Sequence, residues 1–257
     1  MTADARYEVR EGIGWLTFDR PNARNAMTFE MYERLYEVAR QVNEDRSVRA
    51  LIVTGAAGAF VAGTDISQFS DFTTEEQAIA YEEKMDRILG ALEEVRVPTV
   101  AAIGGATTGG GLAIASACDL RIASAGATFG MPIARTLGNC LSLGNLVRVA
   151  SLIGVARTKE LVFTARLLAA EEALQIGLVN EVVPGSTVLA RAEEVARQAA
   201  SFAPLTLWAT KEGLRRVRQR LLPEEGRDLI LLCYMSADFR EGVRAFMEKR
   251  KPVWRGD

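Results

Sequence analysis

The chain has 257 residues, a formal net charge of -2, and no histidine. Near-neutral charge gives no general pull toward nucleic acid or anionic membrane. The missing imidazole excludes Ser-His-Asp hydrolysis, Cys-His nucleophilic catalysis and histidine-based zinc sites. Acid–base work therefore falls to carboxylates, Tyr, Lys or Cys. Three widely spaced cysteines, Cys118, Cys140 and Cys233, fit neither a disulfide framework nor zinc spacing, so no metal is expected and a reduced cytoplasm is the expected location. A chain of this size buries ~75% of its unfolded surface and needs no staple. The polar start, MTADARYEVRE, lacks the apolar stretch of a signal peptide. Asp119 and Arg121 cut the apolar runs before they reach the ~20 residues of a membrane span.

In chain order, Tyr7 to Arg10 and Trp15 to Asp19 predict a hairpin joined through Gly12 and Gly14. Thr28 is placed to cap a helix whose apolar face is Met31, Leu35, Val38 and Val42. Leu51 to Val53 predicts a buried strand within Ala50 to Gly55. After a flexible-looking stretch from Ser67 to Phe72, Thr73 or Thr74 caps a second helix carrying Ile79, Met85, Ile88 and Leu92. An apolar strand, Pro98 to Ile103, empties into Gly104 and Gly105. Gly109, Gly110 and Gly111 then open a small-residue helix, Leu112 to Cys118. A strand at Leu120 to Ala123, a helix from about Ser142 to Leu152, a helical segment at Glu171 to Gln175 and a strand at Leu178 to Val183 follow. Beyond Pro184 there is no strand pattern, only three or four helices punctuated by Pro204 and Pro223. Alternating strands and helices give an α/β architecture, with no internal repeat strong enough to establish a solenoid.

A helix that opens on three glycines leaves bare backbone N–H groups at its N-terminus, which suit an anion or a developing oxyanion. Phosphate-loop readings fail: no Lys follows the last glycine as Walker A requires, and Ile114 stands where the dinucleotide fingerprint needs its final glycine. Close helix–strand packing explains the same glycines. A second turn, Phe60-Val61-Ala62-Gly63-Thr64-Asp65-Ile66, follows the strand at residue 51 and offers another small-residue backbone to one shared carbonyl oxygen.

At these two turns the chain resembles the crotonase family, the enoyl-CoA hydratases and isomerases. Their G-[AT]-D-[IL] and G-x-x-x-G-G-G turns build an oxyanion hole for an acyl-CoA thioester. Arg20 to Ala26 is similar to the family's R-P-x-x-x-N-A, and Cys118 to Ala123 to its C-D-x-R-I-A. Phe129 to Pro132 matches F-G-x-P, Glu171 to Val183 matches A-x-x-x-G-L-V-x-x-V, and Ser236 to Pro252 is similar to the family's closing S-x-D-x-x-E-G-x-x-A-F-x-E-K-R-x-P. These segments run in order through nearly the whole chain.

The resemblance implies a crotonase-type spiral of ββα turns over residues 1–195 and a C-terminal helical oligomerisation region over 196–257, packing trimers that often pair as hexamers. It implies an acyl-CoA-processing enzyme that stabilises a thioester enolate. No cofactor is implied beyond coenzyme A carried by the substrate. The backbone N–H groups of Thr64 and Gly110 would form the hole. Ala62, Asp65 and Ile66 would line the adenine pocket, Arg24 would lie near the CoA entrance, and Phe246 and Lys249 would reach a neighbouring subunit's CoA. Asp65 is also suited to capping its own turn, and the basic run Lys249 to Lys251 also reads as a frayed terminus. Lys211, Arg215, Arg216, Arg218 and Arg220, with only Glu212 beside them, read as a solvated or intersubunit helix face before RNA binding.

The chain departs from the family where chemistry is concentrated. Hydratases carry one glutamate two residues after the triple glycine and another directly after F-G-x-P. Here those positions hold Ala113 and Ile133, which neither give nor take a proton. Ordinary hydration by a glutamate pair is therefore not expected, and a non-catalytic acyl-CoA-binding homologue is the alternative. The segment after Pro132 is one residue longer than the family pattern. Within it, Arg135 reads as a structural arginine paired with a carboxylate before an anion receptor, and Cys140 as a packing cysteine before a nucleophile. Asp71, Glu75 and Glu76 lie where relatives have a mobile segment over the acyl pocket, as a base or as solvated helix-start carboxylates.

Overall fold

The computed structural model describes residues 4–70, 72–221 and 226–256. Strands β1 (Ala5–Arg10) and β2 (Ile13–Phe18) form the expected antiparallel hairpin. Its turn is Glu11-Gly12, both at positive φ (47° and 79°). Gly14 lies inside β2 opposite Val9 and is not part of the turn. Thr28 caps α1 (Phe29–Glu44), its hydroxyl accepting from the Met31 N–H at 3.2 Å.

Strand β3 (Ala50–Gly55) leads through a short 3₁₀ turn, Ile66–Phe69, to α2 (Glu75–Glu93). Thr74, not Thr73, is the cap of α2, in a reciprocal capping box with Gln77. The stretch from Ser67 to Phe72, flexible-looking in sequence, is anchored: Phe69 is buried, its ring 5.0–6.0 Å from those of Phe29, Phe72, Tyr81 and Phe239. Asp71 lies outside the described residues.

Next come β4 (Thr99–Ile103), a short β5 (Ala106–Thr108), α3 (Gly110–Ala117), β6 (Leu120–Ser124), β7 (Thr128–Gly130) and the single-turn α4 (Ile133–Thr136). Helix α5 (Leu143–Thr164) runs well past Leu152, with a break at Gly154 (φ 79°). That break interrupts the apolar period and hides the second half from a sequence reading. After β8 (Leu168–Ala169) and α6 (Ala170–Gln175), β9 covers only Glu181–Val183. Leu178 and Val179 are buried but precede the strand. Among the described residues, four helices close the chain: α7 (Val188–Ala200), α8 (Pro204–Gln219), α9 (Arg227–Tyr234) and α10 (Ala237–Met247). Pro204 opens α8 at a first-turn position, where proline is pre-organised. Pro223 lies outside the described residues.

The main sheet has the order β1-β2-β3-β4-β6-β9, all parallel except the first pair, and β5-β7-β8 form a second, smaller sheet. Because β3 and β4 are buried on both sides, they read as unbroken apolar runs. Their alternate residues feed different cores. Ala50, Ile52, Val100 and Ala102 pack with Val188, Ala192 and Ala196 of α7, which continues across residue 195. Leu51, Val53, Ala101 and Ile103 face the large core shared with α1, α2 and α3. A third cluster joins α9 and α10, through Ile230, Tyr234, Phe239 and Val243, to Phe69, Ala78 and Leu137.

The terminus is tied down rather than frayed. Glu241 ion-pairs with Arg250 and accepts from the Val253 N–H at 3.0 Å, and Asp238 accepts from the Arg255 and Gly256 N–H groups. Most of the basic cluster of α8 is likewise committed within the chain. Lys211 meets Asp119 at 2.6 Å, Arg218 meets Glu93 at 2.5 Å, and Arg215 reaches both Glu212 and Glu94. Among the described residues, no helix is long and apolar enough to cross a membrane.

Candidate functional site

The two small-residue turns are stitched together by backbone bonds. Val61 N–H donates to Ala106 O (3.2 Å) and Thr108 N–H donates to Val61 O (3.1 Å). Gly109, at φ 52° and ψ -120°, caps α3, and a Cβ there would sit 3.7 Å from Gly63 Cα. Gly111 admits no side chain, because a Cβ would fall 2.0 Å from Val61 O. The glycines let the two turns of backbone approach closely.

On the first turn, Met27 bridges Thr64 in parallel fashion. Met27 N–H donates to Gly63 O at 2.8 Å, and Asp65 N–H donates to Met27 O at 2.9 Å. In that ladder pattern the residue between the two bonds, Thr64, turns its own N–H to the opposite side. On the second turn, Gly110 is the first residue of α3, where the N–H has no intrahelical acceptor.

Thr64 and Gly110 line one cavity of about 300 Å³ with Ala62, Ile66, Ala113, Ile133 and Phe246. Tyr32 and Tyr81 also face it, and both hydroxyls lie on the Thr64 hydroxyl, at 2.9 and 3.4 Å. Burial pushes the Tyr32 phenol up to about 12 and that of Tyr81 well above its usual range, so both stay neutral. Ala113 is 4% exposed. The rest of the wall is mainly apolar, with the neutral polar side chains of Thr108, Thr136, Asn139 and Asn145 and one carboxylate among the described lining residues, that of Glu82.

Glu82 is missing from the sequence-derived candidates. It is 4% exposed. Tyr234 Oη donates to its Oε1 at 2.5 Å and Ser142 N–H donates to its Oε2 at 3.2 Å. Burial raises its carboxyl to about 7, helped by the Asp86 charge and opposed by the two hydrogen bonds. The signal was present in α2, because Ala78, Glu82, Met85 and Leu89 fall on one face at steps of four, three and four. A glutamate on a buried stripe is the informative exception.

Comparison with known proteins decides the family. A family model described as Enoyl-CoA hydratase/isomerase matches residues 8–257. The chain belongs to the enoyl-CoA hydratase/isomerase family. It is 36% identical over 248 residues to a short-chain-enoyl-CoA hydratase of Clostridium acetobutylicum, covering 94% of each chain. Among solved structures it is similar to an enoyl-CoA hydratase/carnithine racemase from Magnetospirillum magneticum, with a TM-score of 0.81, 30% identity and coverage of 100% of this chain and 97% of the other. A methylmalonyl-CoA decarboxylase in complex with 2-nitronate-propionyl-CoA shares the fold at a TM-score of 0.90 and 24% identity, over 100% of both chains. The expected crotonase-type α/β fold with a helical C-terminal region is thus the fold found.

Several family motifs turn out to be structural. Asn25, buried at φ 59°, accepts from the Arg20 N–H and donates to Ala56 O and Ala59 O, locking the R-P-x-x-x-N-A turn. Asp119 accepts from both donors of Thr99, and buried Arg121 donates to Leu178 O and Cys118 O.

Of the family-implied site residues, Thr64, Gly110, Ala62, Ile66 and Phe246 converge on the cavity, whereas Arg24, Asp65 and Lys249 do not line it. Asp65 ion-pairs with Arg20 at 2.7 Å and caps the turn at Ser67. Burial alone would raise its carboxyl, but these partners hold it below its usual range. Arg24 and Lys249 are exposed. Phe246 lines its own chain's cavity, as α10 folds back over the Ile66–Phe69 turn, and is half exposed. Gly242 lets α10 also pack against the end of α4; a Cβ there would meet Leu137 O at 2.3 Å.

Arg135 does not have the expected carboxylate partner. It is exposed on α4, and no ion pair to it is found among the described residues. The Cys140 thiol lies 3.4 Å from Leu229 O, and hydrogen bonding with Cys233 together with burial pushes it up, which suits packing rather than nucleophilic attack. Glu75 and Glu76 are exposed in the first turn of α2.

Proposed function

We propose that the chain binds acyl-CoA thioesters and stabilises the thioester enolate on the Thr64 and Gly110 N–H groups, without the glutamate pair of the hydratases. One observation supports this reading: Thr64 and Gly110, on separate turns clamped by glycine packing, both line one mainly apolar cavity. Preorganised donors of this kind contribute about 2.7–4 kcal/mol each toward a developing oxyanion. Their cost is met in folding, because β-ladder bonds and helix geometry already orient them. The apolar walls suit an acyl chain, and Arg24 and Lys249 offer exposed cations for a CoA phosphate. Ala113 and Ile133 on the cavity wall favour a second reading, a protein that holds acyl-CoA without turning it over.

The family's trimer or hexamer is proposed for the same chain. Helix α8 has no buried residue, and Leu214, Val217 and the following Leu221 expose an apolar edge. Such a face is stabilised by a second copy. Isothermal calorimetry with CoA and a panel of acyl-CoAs, on protein characterised by light scattering, tests both points. Acyl-CoA binding by a trimer or hexamer is the expected result. No binding across the panel defeats the ligand assignment, and a monomer that binds fully defeats the assembly.

A further inference from the structure

The acyl cavity has a neighbour. A second, open cavity of about 790 Å³ lies between α1, α2, α5, α8 and α9, lined by Asp86, Arg87, Ser142 and Arg148 among others. Among the described residues, Glu82 is the one residue that lines both cavities. Its carboxyl group stands in the wall between a polar space open to solvent and the inner space that receives the Thr64 and Gly110 amides.

We propose that Glu82 is the acid–base residue of this site, taking the α-proton of a bound acyl thioester and returning it, with the outer cavity as its route to solvent protons. The proposal rests on the reading of the inner cavity as an acyl-thioester site. In the step, a Glu82 carboxylate oxygen bonds the α-proton, and the C–H electron pair becomes the C=C bond of the enolate. The carbonyl π pair moves to oxygen, where the Thr64 and Gly110 N–H groups hold it. Reversal gives back the thioester and the carboxylate. No oxidant or other co-reactant is needed.

Three features support the assignment. First, Glu82 is the only carboxylate among the described residues lining the inner cavity, so it has no competitor there. Second, each of its oxygens accepts one hydrogen bond, from Tyr234 or from the Ser142 N–H, and each keeps a lone pair for a proton. Third, burial poises the carboxyl near 7, where it is present in both forms at neutral pH and suits proton transfer in both directions. The groups facing it are Tyr81 and Asp86 from α2, Tyr32 from α1, Tyr234 from α9, Cys140 before α5, and Arg148 of α5, which pairs with Asp86. Ser142 Oγ donates to Asp86 at 2.8 Å, which continues the polar path into the outer cavity.

The test is exchange of the α-protons of butyryl-CoA in D₂O, followed by NMR, beside calorimetric affinity for the same ligand. The native chain should exchange, with a rate that rises as Glu82 ionises and levels off above about 7. Glu82→Gln should lose at least ~10²-fold, with acyl-CoA affinity within a few-fold of native. A glutamine keeps the shape, and the Tyr234 hydroxyl can reverse its hydrogen bond to suit it. Glu82→Asp should recover part of the rate. Tyr234→Phe removes a donor that favours the carboxylate, so its exchange profile should move to higher pH, which a purely structural role for Glu82 does not produce. Native-rate exchange in Glu82→Gln overturns the proposal, as does native protein that binds butyryl-CoA without exchanging it. Absence of binding in the native chain overturns the acyl-CoA reading and this proposal with it.

Discussion

Gly110→Ala is expected to lower α-proton exchange on bound acyl-CoA by about 10²–10³-fold, the loss typical of a missing oxyanion donor. The added Cβ would fall 2.0 Å from the Tyr32 hydroxyl oxygen and 3.1 Å from Thr64 Oγ1. Tyr32 is fully buried in the main core, so its ring has no free space into which to retreat. The substitution must therefore shift the start of α3, and the Gly110 N–H moves with it. A misplacement of this kind, an ångström or less, weakens a donor whose value lies in its preorganisation. Adding Tyr32→Phe removes the clashing oxygen and should restore part of the lost rate. Gly90→Ala serves as the control, because nothing lies within 4 Å of a Cβ there. Steady-state rates and thermal melts on the three variants check the prediction. A folded Gly110→Ala chain with native exchange would remove this amide from the mechanism.

The second large effect concerns Ala113 and Ile133, the cavity-lining positions where hydratases of the family carry glutamates. Native protein should hydrate crotonyl-CoA poorly. Addition of water to a double bond asks for a base on the water and an acid at the α-carbon, and the cavity offers one carboxylate. Each positioned acid or base contributes about 10²–10⁴-fold. Ala113→Glu with Ile133→Glu should raise hydration, at some cost in stability, because Ala113 sits in a packed helix and a carboxylate there is desolvated. Rates measured by loss of the enoyl absorbance decide the matter. Native turnover in the ordinary enzyme range, ~1–10³ per second, would show that the two positions do not limit the reaction.

Much of this arrangement is legible in sequence because its causes are local. The cap at Thr28, the stripe of α1 and the unbroken apolar runs of β3 and β4 follow from neighbours along the chain. The glycine turns announce bare backbone. That Thr64 and Gly110 share a cavity depends on how β3 and β4 align, which the family motifs supply and periodicity does not. What escapes is set by tertiary contact. Gly154 conceals the second half of α5 by breaking its period. The stretch before α2 gains its order from Phe239 on α10, far away in the chain. The α8 cations look unpaired locally because Glu93, Glu94 and Asp119 reach them across the fold. Glu82 is hidden for a related reason: its partners Ser142 and Tyr234 lie 60 and 152 residues away in sequence.

The most direct test of the central claim is a crystal structure of the native chain with butyryl-CoA bound. The thioester carbonyl oxygen should lie about 2.7–3.1 Å from both the Thr64 and Gly110 nitrogens, with the acyl chain in the cavity bounded by Ala113, Ile133 and Glu82. A thioester seated elsewhere, or one whose oxygen meets neither amide, would contradict it.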